Sequence, residues 1–102
     1  MRLGERVPVE VSGNYVICFE PFEMYEDMVE HLVQDCGWER AEAEALDCLW
    51  FGAEVSIWRD GVALASEHLG ACMYDTYEDF LKCGYYADMR GALLAYVGKN
   101  PD

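Results

Sequence analysis

The fifteen residues from Ala53 to Glu67, AEVSIWRDGVALASE, constrain the fold more than any other part of the chain. Apolar and polar residues alternate on both sides of Asp60-Gly61. That dipeptide favours a two-residue hairpin turn, because glycine accepts positive φ without a Cβ clash. The pattern predicts an antiparallel hairpin with Arg59 opposite Val62, Ile57 opposite Leu64 and Val55 opposite Ser66. Val55, Ile57 and Leu64 then face a core. Trp58 shares the other face with Ala63 and Ala65, and is either covered by a helix or left partly exposed.

A second alternating run, VPVEVSGNYVICFE, places Val7, Val9 and Val11 on one face and Tyr15, Ile17 and Phe19 on one face, with Ser12-Gly13-Asn14 as the turn between them. Pro8 puts the first strand at an edge or near its own start. Pro21 is expected to end the second strand. From Glu23 to Cys36 the period becomes helical: Tyr25, Met28, Leu32 and Cys36 form an apolar stripe, widened by Val29 and Val33. Glu23, Asp27, Glu30 and Gln34 lie opposite, and Gly37 is a stop signal. A second helix is predicted from Glu39 to about Leu49, with Trp38, Ala41, Ala45 and Cys48 at helical spacing. After the central hairpin, HLGACMY reads as a loop or a short strand. Thr76 and Asp79 have capping-box spacing ahead of a short helix that ends near Gly84. A last helix is predicted over about Tyr85–Val97, with Met89, Leu93, Tyr96 and Val97 on its apolar side and Gly98 and the following KNPD as its stop. The expected fold is a small single α+β domain over residues 1–102. It has an antiparallel sheet of about four strands in two hairpins and three to four helices, in the order ββααββαα.

Charge is the other strong signal. Twenty acids against seven bases give a formal net charge of −13. Glu20 to Glu54 holds eleven acids (Glu20, Glu23, Glu26, Asp27, Glu30, Asp35, Glu39, Glu42, Glu44, Asp47 and Glu54) and one base, Arg40. A surface whose only role is solubility mixes both signs, so this concentration points to an interaction face. It opposes direct nucleic-acid and anionic-membrane binding and favours a basic partner. At 53% hydrophobic, the chain is too apolar for a disordered acidic tail. No apolar run approaches a membrane span, and MRLGERVPVEV shows no signal-peptide core. Five scattered cysteines without a CxxC fit a reducing, cytoplasmic setting.

Signs of chemistry are few. Phosphate loops, GxSxG and HExxH are absent. His31 and Cys36, His68 and Cys72, and Cys48 are zinc-type residues, but their spacing matches no zinc module, and His31 and Cys36 are not expected to share a helix face. The expectation is a protein with no enzymatic activity, no catalytic residue, no metal and no cofactor.

The candidate partner-binding residues are therefore the carboxylates and the tyrosines beside them. On a helix over 23–35, Glu23, Asp27 and Glu30 would line one face at spacings similar to those of duplex phosphates. Glu26, Glu39 and Glu42 extend the charge. In CMYDTYEDFLKCGYYADM, the residues Tyr74, Asp75, Glu78, Asp79, Tyr86 and Asp88 offer carboxylates for arginine and rings for it to stack on. Tyr74 and Tyr86 are expected to be exposed.

In size and charge the chain resembles the small acidic inhibitors of phages and plasmids, the anti-CRISPR and anti-restriction proteins. That resemblance implies a protein that blocks a basic nucleic-acid-binding site in a host defence complex by mimicking the charge of DNA. The chain also resembles bacterial immunity proteins against nuclease toxins, through Tyr85-Tyr86 alone. The flanking KCG and ADM and the Asp60-Gly61 hairpin depart from that all-helical family. A third alternative is an accessory or regulatory binding domain, or a homodimer, that uses Trp38, Trp50, Trp58 and Phe51.

Overall fold

The computed structural model describes residues 1–99. Eight elements follow in the order ββααββαα: β1 (Val7–Ser12), β2 (Tyr15–Phe22), α1 (Met28–Gln34), α2 (Arg40–Ala45), β3 (Leu49–Arg59), β4 (Val62–Tyr74), α3 (Tyr77–Leu81) and α4 (Gly84–Lys99). The strands form one antiparallel sheet in sequence order, β1-β2-β3-β4. The fold class and element order expected from the sequence are those observed.

Asp60 and Gly61 both have positive φ, 52° and 78°, and make the β3–β4 turn. Arg59 pairs with Val62 as expected. Trp58 still pairs with Ala63 in that register; beyond Trp58 it slips by one, so Ile57 pairs with Ala65 and Val55 with Glu67. The bulge lets Leu64 and Ala65 both pack towards the core. It leaves Ala63 alone to share a face with Trp58. Trp58 is half-buried beneath Arg6, whose guanidinium carbon lies 4.0 Å from the ring centre.

The first hairpin turns on Gly13-Asn14 alone, because Ser12 already pairs with Tyr15. Pro21 does not end β2. It pairs with Ala53, and its carbonyl accepts the Gly4 N–H at 2.7 Å on the outer side. No described residue of β1 pairs at that level, so the missing proline N–H leaves no gap in the ladder. HLGACMY belongs to β4, which is thirteen residues long.

One face of the sheet carries Ile17, Phe19, Phe51, Ala53, Val55 and Ile57, all fully buried, and α3 and α4 cover it with Phe80, Tyr86, Leu93 and Val97. Phe80 is at the centre of the aromatic packing, with ring centres 5.5 Å from Phe19, 6.1 Å from Phe51 and 5.5 Å from Tyr74. Tyr96, expected on the buried side of α4, is 48% exposed. Gly98 does not stop α4, which continues to Lys99; the rest of the expected stop, 100–102, lies outside the described residues. Arg90 and Tyr86, one turn apart on α4, both reach Glu10 on β1. Arg90 donates to both carboxylate oxygens, and the Tyr86 hydroxyl donates at 3.4 Å.

The molecule measures 50 × 24 × 22 Å, with a radius of gyration of 15.5 Å. A compact chain of this length would have about 13 Å. The elongation goes with a division of labour: α3 and α4 build the main core, while α1 and α2 pack chiefly on each other around Leu32 and Ala43.

Candidate interaction surface

The acidic segment forms two short helices instead of two longer ones. Asp27 is the N-cap of α1 and accepts the Glu30 N–H at 3.2 Å. An aspartate that caps in the extended conformation ends the helix on its N-terminal side. Glu23 and Tyr25 therefore precede the helix, and Tyr25 is fully exposed rather than part of an apolar stripe. Gly37, at φ 74°, turns the chain after α1, and Cys36 is exposed beyond the C-cap. In α2, Ala43 is the buried residue, while Ala41 and Ala45 face outward and Trp38 is 38% exposed.

Glu23, Asp27 and Glu30 consequently do not step along one helix face. Glu23 lies in the entering loop, Asp27 caps, and Glu30 is half-buried and paired with Arg40 at 2.8 Å. That hydrogen bond, with the charge of Arg40 behind it, holds the Glu30 carboxyl below its ordinary range. The pair joins the first turn of α1 to the start of α2, so the acids of both helices belong to one lobe. Glu23, Glu26, Asp27, Glu39, Glu42, Glu44 and Asp47 are exposed there.

Trp50 attaches this lobe to the sheet. Its indole N–H donates to the Glu26 carbonyl at 2.8 Å, and its ring lies 5.2 Å from that of His31. Cys48 contacts the Met28 sulfur at 3.8 Å.

The second acidic stretch meets the lobe through strand register. Leu49 pairs with Tyr74, so the next step along the antiparallel strands brings Asp75 beside Cys48. Burial pushes the Cys48 thiol up, and the nearby charges of Asp75 and Asp47 add to that push. Asp75, Glu78, Asp79 and Asp88 are exposed. Thr76 caps α3 by accepting the Asp79 N–H at 3.1 Å, as the capping-box spacing predicted.

The tyrosines differ from expectation. Tyr86 is 8% exposed, and its hydroxyl is turned to Glu10. Burial above all pushes this phenol up. Tyr74 is half-buried against Phe51 and Phe80; a hydrogen bond with Cys83, then burial, raises its phenol well above the usual range. Tyr85, one position from Tyr86, is the ring that faces solvent, at 62%.

One cluster was not anticipated. His31 Nδ1 lies 3.3 Å from a Glu26 oxygen and 3.1 Å from an Asp35 oxygen. Cys36 Sγ is 3.7 Å from the other ring nitrogen, Nε2. His31 and Cys36 do meet, because α1 ends at Gln34 and the chain turns back. The only signal in the sequence was the four-residue step from His31 to Asp35; the approach of Glu26 depends on Trp50. No protein-family model, curated protein or solved structure matches this chain.

Proposed function

We propose that this protein is a non-enzymatic inhibitor whose acidic end occupies a basic nucleic-acid-binding site in a host defence complex, of the anti-CRISPR or anti-restriction type. The observation that carries this reading is the gathering of both acidic stretches at one end of the sheet through the Leu49–Tyr74 pairing. Arg40, the one base in the segment from Glu20 to Glu54, is already engaged by Glu30. Carboxylates on such a lobe attract a basic groove at long range, and the exposed Tyr25 and Trp38 add rings on which arginine can stack. Association of this kind is fast and weakens with salt.

The test is a pull-down from nuclease-treated lysate of bacteria that carry CRISPR and restriction systems, washed in rising salt. The expected partner is a basic nucleic-acid-binding protein released as salt rises. Its binding should fall at least ~10-fold when Glu23, Glu42 and Asp75 are changed to lysine, a loss typical of disrupted charge complementarity. These side chains are exposed, so the fold should survive. Undiminished binding by the triple variant would refute the reading. The exposed Tyr25, Trp38 and Tyr85 favour a second reading, an accessory domain or homodimer. Salt-resistant capture or self-association would select it.

A further inference from the structure

We propose that Glu26, His31 and Asp35 form a binding site for a divalent transition-metal ion, with Zn²⁺ the best match. The three donors, Glu26 Oε2, His31 Nδ1 and Asp35 Oδ2, all lie within 4.8 Å of one another. Around a tetrahedral zinc with bonds of ~2.0–2.1 Å, neighbouring ligand atoms are ~3.3 Å apart. The two edges from Nδ1, 3.3 and 3.1 Å, are already of that length. Only the carboxylates need to adjust towards each other.

The histidine supplies an independent observation. Nδ1 is shut off from solvent and has no hydrogen-bond partner. Both carboxylates are at contact distance, yet neither is aligned to accept an N–H from the ring. A buried polar atom without a partner is destabilising unless something else satisfies it. A cation between the three donors does so. The opposite nitrogen has a partner of its own: Nε2 faces Cys36 Sγ at 3.7 Å. If Nε2 carries the proton towards sulfur, the lone pair at Nδ1 is free for the metal. Cys36 then orients the ring and is not itself a ligand.

The ligands come from two places. His31 is on α1 and Asp35 is its C-cap, while Glu26 precedes the helix and is anchored to β3 by Trp50. A bound ion would therefore brace the acidic lobe against the sheet. An imidazole with two carboxylates suits zinc and its first-row neighbours, whereas Mg²⁺ and Ca²⁺ prefer all-oxygen sites. Water would complete the coordination.

The site is tested with Zn²⁺ alone, titrated into the metal-free full-length protein at 150 mM salt and followed by calorimetry and tryptophan fluorescence. One ion per chain is expected, with a change in emission from Trp50, and with millimolar Mg²⁺ unable to displace it. His31→Gln and Glu26→Gln should each weaken binding at least ~10-fold, and Cys36→Ser should keep the one-to-one stoichiometry. Glu26 is exposed, so Glu26→Gln remains informative if His31→Gln folds poorly. The proposal is overturned by no stoichiometric binding, by unchanged affinity in Glu26→Gln, by equal competition from Mg²⁺, or by loss of binding in Cys36→Ser alone. No partner protein takes part, so this result and the inhibitor test succeed or fail independently.

Discussion

Gly52 is the position where a single methyl group should do most harm for its size. It pairs with Phe22 across β2 and β3, and the Phe22 ring lies over it. A Cβ at residue 52 would sit 2.1 Å from Phe22 Cε2 and 2.2 Å from Cζ. Carbon atoms in contact prefer about 3.5–4.0 Å, so the ring would have to retreat by well over an ångström. The ring is partly buried and has His68 beside it, with ring centres 6.2 Å apart, so its retreat disturbs that contact. Overpacking of this kind destabilises by about 1–3 kcal/mol. Against it, alanine in a strand gains about 0.5–1 kcal/mol over glycine through reduced freedom of the unfolded chain. The clash wins, and a net loss of about 1 kcal/mol should lower the melting temperature by about 4–8 °C. The decisive assay is a double-mutant cycle by thermal and urea unfolding. With Phe22 replaced by alanine the clash vanishes, so Gly52→Ala should then raise stability. If Gly52→Ala has the same sign in both backgrounds, the steric account is wrong.

Three further predictions concern the core and the charges. Phe80→Ala should remove about 3–5 kcal/mol, enough to abolish cooperative unfolding if the whole fold is worth only ~5 kcal/mol; a sharp two-state melt near the parental temperature would refute Phe80 as the centre of the core. The hydrogen bonds from Arg90, opposed by some burial, hold the Glu10 carboxyl below its ordinary range. The stability this gives is present above the unfolded-state value near ~4.3 and is lost as pH falls through the lower folded value. Glu10→Gln should therefore lower the melting temperature at pH 7 and much less at pH 2.5, and equal loss at both would exclude the clamp. Finally, with a net charge of −13, the free protein should melt higher at 200 mM than at 20 mM NaCl as self-repulsion is screened; a lower melting temperature would show that attractive pairs dominate.

The readable parts of this fold were those governed by local chemistry. Asp60-Gly61 encodes its turn through backbone conformation alone, and Thr76 caps α3 through a contact three residues away. What failed was set by tertiary packing. The slip that pairs Ile57 with Ala65 follows from fitting both Leu64 and Ala65 against α4's side of the sheet. The choice between Tyr85 and Tyr86 depends on a 100° step around α4, and Tyr86 goes inward to Glu10, seventy-six residues away in sequence. For the acidic lobe, composition located the concentration of charge, and periodicity placed its residues wrongly. Asp27 fits an outward helical position, but its side chain caps instead. The His31 cluster depends on a tryptophan from another element, which no spacing rule contains.

The sheet's open edges have a consequence for behaviour at high concentration. β4 offers thirteen residues of edge, long enough to template another strand. Its ladder is broken twice, opposite Ile57/Trp58 and opposite Phe51/Ala53, and Ala71 adopts φ 56° near the second break. On the other side, β1 carries Pro8 and a register shift between Pro8 and Glu10. Neither edge presents a straight, unbroken row of donors and acceptors. Cross-β stacking needs such a row from one chain to the next. Solutions of this protein should therefore neither seed nor elongate fibrils from the folded state, and growth of that kind would have to start from chains that have already unfolded.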